Sequence, residues 1–153
     1  MHPEDTLRSL GLELPSTQTP LGRYLPAVRT GTLLFVAGHL PVVDGAPQFV
    51  GKVGREWTVE QGYEASRLTA LAMLATIKAS VGDLAKVSRV VKLLGMVNCT
   101  EEFTQTPQVI NGASELFLAV WGEAGAHARS AVGLQQLPGG IAVEIEGIFE
   151  VRD

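Results

Sequence analysis

The stretch ARSAVGLQQLPGGIAVEIEGIFEV, Ala128 to Val151, carries Arg129 at its front and two glutamates, Glu144 and Glu146, inside an otherwise apolar run. A guanidinium binds a carboxylate bidentately, and a partly buried carboxylate can move a proton. Duller roles exist for the same residue types. Glutamates on a strand most often make a solvated face, and an arginine at a strand start usually sits in a surface ion pair that contributes little.

The stretch reads as two strands around a turn at Pro138-Gly139-Gly140. Side chains alternate along a strand. Glu144, Glu146 and Ile148 therefore share one face, and Val143, Ile145 and Phe149 share the other. A turn centred near Gly139 sets Glu144 opposite Leu134, which leaves Arg129 about 17 Å further along the strand. If one site uses both Arg129 and Glu144, this register makes them meet across a subunit interface.

The elements that must position these residues follow from spacing. HPEDTLRSLGLELP predicts a short helix, with Pro3 in its first turn, Glu4 and Asp5 complementing the dipole and Gly11 ending it. TQTPLGR is a loop. YLPAVRTGTLLFVAGHLP reads as a hairpin, Tyr24 to Arg29 and Thr32 to Gly38, turning at Thr30-Gly31. The Gly- and Pro-rich VVDGAPQFVGKVGRE is loop with at most a short edge strand. A long helix opens at Thr58, with Gln61 at capping-box spacing. Its apolar stripe is Ala65, Leu68, Leu71, Ala72, Ala75 and Ala79, and Gly82 is its C-cap. VSRVVKLLGMVNC is a buried strand. A second helix runs from about Pro107 to Trp121 with Val109, Ala113, Leu116, Phe117 and Val120 on one face, and GEAGAH is a flexible link. Trp57 and Trp121 fall near the ends of the two long helices.

This order predicts one mixed sheet with both long helices on one face, an α+β domain. Leu33, Phe35, Val87, Val91, Ile141 and Ile145 leave the second face more apolar than a solvated face needs. A bare apolar face predicts a partner, here a second copy of the chain.

Composition narrows the function. With 153 residues, 46% hydrophobic and 18% charged, the chain makes one ordered domain. Its net charge of −4, from 12 basic and 16 acidic residues, gives no basic stripe for nucleic acid. The single cysteine, Cys99, excludes an internal disulfide and points to a reducing compartment. MHPEDTLRSL has neither a basic nor an apolar leader region, so the expected location is the cytoplasm. Three histidines without HxH or HExxH spacing predict no metal site, and no GxGxxG or Walker-type loop supports nucleotide binding. Cys99 is expected to pack as a small apolar group.

Several segments resemble one family. ARSAVGLQQLPGGIAVEIEGI resembles the closing signature of the RidA/YjgF family, the reactive-intermediate deaminases: Pro-Ala-Arg-Ser, an apolar strand, Leu-Pro, then a strand with Glu-Ile-Glu. GTLLFVAGHLP resembles its apolar strand closing in Ser-Gly-Gln-hydrophobic-Pro. VINGASELF is similar to its Val-Asn-x-x-Tyr-x-x-Phe-Phe helix, and LAKVSRVVKLLGMV to the strand between the helices. The likeness spans residues 21–153, leaving 1–20 as an N-terminal extension with a short helix.

The resemblance implies a chorismate-mutase-like α+β fold of the bacillus type, assembled as a homotrimer with small-molecule clefts between subunits. It implies hydrolysis of enamines and imines such as 2-aminoacrylate to a 2-keto acid and ammonia, with no metal and no organic cofactor. On this likeness Arg129 binds the substrate carboxylate, and Glu144 positions water and shuttles the proton. Tyr24, Asn111 and backbone near Gly38 line the cleft. The chain departs from the pattern at Ala37 for Ser, His39 for Gln, His127 for Pro and Ala131 for Cys. The loop before Asn111 is also longer. These departures place it in a divergent RidA-like subgroup.

Two further readings stay open. One is a non-catalytic trimer that binds a small carboxylate metabolite, suggested by Ala37 and His39. The other is a ribonuclease or translation inhibitor, which the acidic balance disfavours. His39 itself is either a general base or, as a lone histidine beside an apolar strand, structural.

Overall fold

The computed structural model describes residues 1–153. Its elements are α1 (Pro3–Ser9), β1 (Ala27–Thr30), β2 (Leu33–His39), β3 (Val42–Val43), β4 (Ala46–Pro47), α2 (Val59–Val81), β5 (Val87–Asn98), α3 (Thr106–Trp121), β6 (Ala128–Leu134) and β7 (Val143–Val151). Five strands form one sheet in the order β1-β2-β7-β5-β6. β5 and β6 run parallel, and the remaining neighbours are antiparallel. The fold is thus α+β with a mixed sheet, and α2 and α3 pack together over one face of it. No helix is long and apolar enough to cross a membrane.

The capping box at Thr58 forms as its spacing predicts: Gln61 N–H donates to Thr58 Oγ1 at 3.2 Å, and Thr58 N–H donates to Gln61 Oε1 at 2.9 Å. The predicted stripe covers only part of what α2 buries. Every residue from Thr69 to Ile77 is buried, whereas Ala79 is exposed. The helix is covered on several sides, so a single amphipathic face underestimates it. On α1, Leu7 is buried in the common core, and Leu12 and Leu14 beyond it pack against that core. Glu4 also pairs with Lys78 of α2 at 2.9 Å.

The terminal hairpin is corrected. β6 does not pair with β7; β5 lies between them. The segment β5–α3–β6 is a strand–helix–strand crossover, which returns the chain parallel to its start. Residues 135–142 then carry the chain back across the sheet end, and β7 inserts between β2 and β5.

The open face is also revised. Val87 and Ile145 point into the core and Ile141 is buried. The exposed apolar residues on the far side are Val28 and Phe35, paired on β1 and β2, together with Val132 on β6. Half-buried Leu94, Met96 and Ile148 lie between them. The hairpin strand starts at Ala27 rather than Tyr24. GEAGAH is not a loose link, because residues 122–125 form a 3₁₀ turn.

Gly112 sets the spacing between the two long helices. A Cβ there would lie 3.0 Å from both Tyr63 C and Arg67 N of α2. Backbone atoms cannot swing aside as side chains do, so the helices must part. Gly112→Ala is expected to lower stability by about 1–3 kcal/mol. The measurement is a drop in the urea midpoint at constant m-value.

Candidate functional site

Side-chain alternation in β7 puts Val143, Ile145, Phe149 and Val151 in the core and turns Glu144, Glu146, Ile148 and Glu150 to the open side. Glu144 faces a cavity of about 690 Å³. Its walls include Gln18, Leu21, Tyr24, Leu25, Gly38 and Glu146.

A β-bulge shapes this wall. β2 and β7 keep register as far as Val36 and resume it at His39, so Ala37 and Gly38 together oppose Glu146. Gly38 leaves room for the carboxylate, since a Cβ would lie 2.9 Å from Glu144 Cδ and push that side chain away. The carboxylate therefore sits directly over bare backbone. No ion pair reaches it. Burial pushes its pKa above the ordinary value, and the nearby Glu146 charge adds to the rise.

His39 is not in a position to act on a ligand. It is 2% exposed. Its Nδ1–H donates to Ala37 O at 2.6 Å, and its Nε2 accepts from the Thr76 hydroxyl at 2.7 Å. Burial lowers its pKa, so it is held neutral. Both nitrogens are occupied in tying the bulge to α2, which answers the sequence question in favour of a structural histidine.

The segment before β1 supplies the outer wall. The Gln18 side chain donates from Nε2 to Leu40 O at 2.6 Å and accepts from Leu40 N–H at 3.3 Å. It pairs with a peptide group as another peptide would. Beyond it, the Tyr24 hydroxyl accepts from Leu21 N–H at 3.2 Å, and its own hydrogen is left to donate.

Arg129 and Asn111 lie elsewhere. Arg129 pairs in register with Leu93, a core residue, so its side chain turns to the helix side of the sheet edge. There Nη1 donates to Ser114 Oγ at 3.0 Å and Nη2 donates to Pro107 O at 3.1 Å. Asn111 falls between those two positions on the same face of α3. Ladder spacing sets the Arg129 and Glu144 Cα atoms about 14 Å apart, with side chains on opposite faces. Within one chain the residues fall into two separate groups, Tyr24, Gly38 and Glu144 in one, Asn111 and Arg129 in the other.

Sequence reasoning missed Gln18, Leu21 and Leu25, which it placed in an unassigned loop and hairpin start. The usable signal was three large apolar residues, Leu21, Tyr24 and Leu25, crowded into a Pro- and Gly-rich loop. All three are exposed at the cavity.

These features define an α+β protein with polar groups split between the two faces of a mixed sheet. A family described as "YjgF/chorismate_mutase-like, putative endoribonuclease" matches residues 4–139. The chain belongs to this YjgF/RidA family. It is 43% identical over 148 residues to Protein TCP17 of Trypanosoma cruzi, covering 96% of this chain and 92% of that protein. A crystal structure of Atu1372 from Agrobacterium tumefaciens, described as of unknown function, superimposes with a TM-score of 0.93 at 42% identity, covering 98% and 92%. A structure from Shewanella oneidensis, described as a putative endoribonuclease, gives a TM-score of 0.96 at 32% identity, covering 99% and 100%.

The Glu144 environment has a measurable consequence. Its folded pKa lies above the ordinary 4.5, so the native state holds a proton that the unfolded chain has lost. That contribution is fully present below 4.5 and fades as pH rises through the folded value. Glu144→Gln is expected to remove this downward component and to be relatively more stable than wild type at neutral pH. Urea unfolding from about pH 4 to about pH 8 checks it; parallel curves for the two proteins would refute it.

Proposed function

We propose that the protein hydrolyses enamine and imine intermediates of the 2-aminoacrylate type to a 2-keto acid and ammonia. The reaction takes place at clefts between the subunits of a homotrimer. The observation that carries this reading is the division of polar groups. A cation with no carboxylate partner sits on the helix side of the edge strand β6, and a carboxylate with a raised pKa and no cation sits in a cavity on the open face of the central strand β7. Neither half is a complete site for an anionic imine, and side-by-side copies complete it. The apolar far face of the sheet is available for that assembly.

The chemistry then follows from the residue types. 2-Aminoacrylate tautomerises to the imine, whose carboxylate docks on the Arg129 guanidinium. Asn111, beside Arg129, offers an amide to the same ligand. From the adjoining subunit, Glu144 holds a water against the imine carbon. The water oxygen bonds to that carbon while Glu144 accepts its proton. Glu144 returns that proton to nitrogen, giving a carbinolamine; it then passes the carbinol O–H proton to the same nitrogen, the C–N bond breaks, and ammonia leaves as the carbonyl forms. A carboxylate whose pKa burial and Glu146 raise above its ordinary value suits a group that both accepts and donates. The Tyr24 hydroxyl is the free donor on the cavity wall, and Gly38 keeps the backbone out of the carboxylate's way.

A second reading, carboxylate binding without turnover, is favoured by one observation. Ala37 places no hydroxyl beside Gly38, and both nitrogens of the adjacent His39 are committed elsewhere.

The test is ammonia and pyruvate release from freshly generated 2-aminoacrylate, with assembly checked by light scattering. Wild type is expected to exceed the spontaneous rate, and Arg129→Ala and Glu144→Gln each to fall by about 100-fold or more. Mixing the two inactive variants as exchanged subunits rebuilds wild-type clefts. A trimer mixed at random recovers about a quarter of them. Recovery supports sites shared between subunits, and no recovery refutes them. Pyruvate binding without turnover by assembled wild type selects the second reading.

A further inference from the structure

The departure at His127 acquires a physical meaning at the arginine half-site. His127 Nδ1 lies 2.6 Å from Gly125 O, and its Nε2 lies 2.8 Å from Ser114 Oγ. A carbonyl only accepts, so Nδ1 carries the proton and Nε2 is left as an acceptor. The Ser114 hydroxyl therefore donates to Nε2, and its oxygen accepts from Arg129 Nη1 at 3.0 Å. Every donor and acceptor along this line has one consistent direction.

We propose that Ser114 and His127 are positioning residues for Arg129. The chain from Gly125 O through imidazole and hydroxyl to Nη1 fixes the plane on which a ligand carboxylate docks. The inference rests on Arg129 being the carboxylate anchor.

Three observations support it. First, the partners of Arg129 are a hydroxyl and a backbone carbonyl, both uncharged. An acidic partner would orient the guanidinium but also neutralise it and compete with the ligand. Neutral acceptors orient it and leave its charge and three of its five N–H donors for the ligand. Second, the imidazole is itself held. It packs edge-on against Phe117, with centroids 6.4 Å apart, and its Nδ1 bond ties it to the 122–125 turn. The chain thus connects three elements, that turn, α3 and β6, at the point where Arg129 emerges. Third, the imidazole is in the state the chain needs. Burial lowers its pKa and the Arg129 charge lowers it further, so it remains neutral with a lone pair on Nε2.

The experiment is calorimetric titration with pyruvate at neutral pH on proteins of verified assembly. Ser114→Ala and His127→Phe are each expected to weaken pyruvate by about threefold to tenfold, the worth of one lost hydrogen bond. His127→Gln can donate to Gly125 and accept from Ser114, and is expected to stay within about twofold of wild type. Arg129→Ala should weaken binding more than either. Adding Ser114→Ala to Arg129→Ala should then cost nothing further, because the hydroxyl acts through the guanidinium. A merely structural serine would weaken binding equally in both backgrounds, and that result overturns the proposal. So does unchanged binding by Ser114→Ala with a weakened Arg129→Ala, which leaves the anchor intact. Unchanged binding by Arg129→Ala removes the anchor and the proposal together. If His127→Phe does not fold, Ser114→Ala and His127→Gln carry the test.

Discussion

The alternation of β7 is the constraint on which the rest depends. This strand sits between β2 and β5 and bonds to both, so neither of its edges is free to adjust. Ile145 and Phe149 must fill the core beneath α2 and α3, and their positions then fix every other residue of the strand. A slip of one residue would bury Glu144 and Glu146 and expose the aromatic. The core that would receive them is built of apolar side chains, so that alternative register is heavily disfavoured. The same force that builds the core thus holds a half-buried carboxylate over the Gly38 bulge.

Arg129 is placed by a different constraint. A parallel strand must be reached by a crossover, and α3 is that crossover. It delivers β6 to the sheet edge, where Arg129 can turn toward the helix side and meet Pro107 and Ser114 of α3. A hairpin would instead have set β6 beside β7 and brought Arg129 and Glu144 onto adjacent strands. The crossover separates them by a whole strand and by the thickness of the sheet. The separation of Arg129 from Glu144 is therefore a consequence of topology, and any single site that uses both requires a second subunit.

Much of this was legible from local pattern. The capping box at Thr58, the strand at Val87–Asn98 and the helix ending at Trp121 follow from spacing and composition, because each is decided by neighbours in sequence. Glu144 was legible as outward-facing because alternation needs no knowledge of the partner strand. The pairing of β6 was not, since a strand's neighbour is a long-range choice. The clue lay in the strand–helix–strand order and in LQQLPGGIA, too long for a tight turn. The inference that Arg129 and Glu144 do not touch within a chain survives the corrected pairing, though on a different distance. The wall formed by Gln18 to Leu25 was illegible for another reason. Its place is fixed by the Gln18 amide bonding to Leu40, and no periodicity announces a side chain that substitutes for a strand.

Two histidines read as scattered in the sequence prove to be the same device used twice. His39 donates from Nδ1 to the carbonyl two residues before it and accepts at Nε2 from Thr76 of α2. His127 donates to the carbonyl two residues before it and accepts at Nε2 from Ser114 of α3. In each case an irregular piece of backbone, the bulge at Gly38 or the turn before β6, is pinned to a helix by an imidazole that burial keeps neutral. Irregular backbone lacks the regular ladder that would hold it, so a rigid ring with one donor and one acceptor supplies the missing pair of bonds. Each irregularity adjoins one of the two groups: Gly38 lies against Glu144, and the turn leads into Arg129. Ordinary substitutions at these positions are expected to spare the fold class and loosen the backbone beside Glu144 and Arg129. Residues 39 and 127 therefore serve the geometry of the backbone beside Glu144 and Arg129, since both nitrogens of each imidazole are taken up in these bonds.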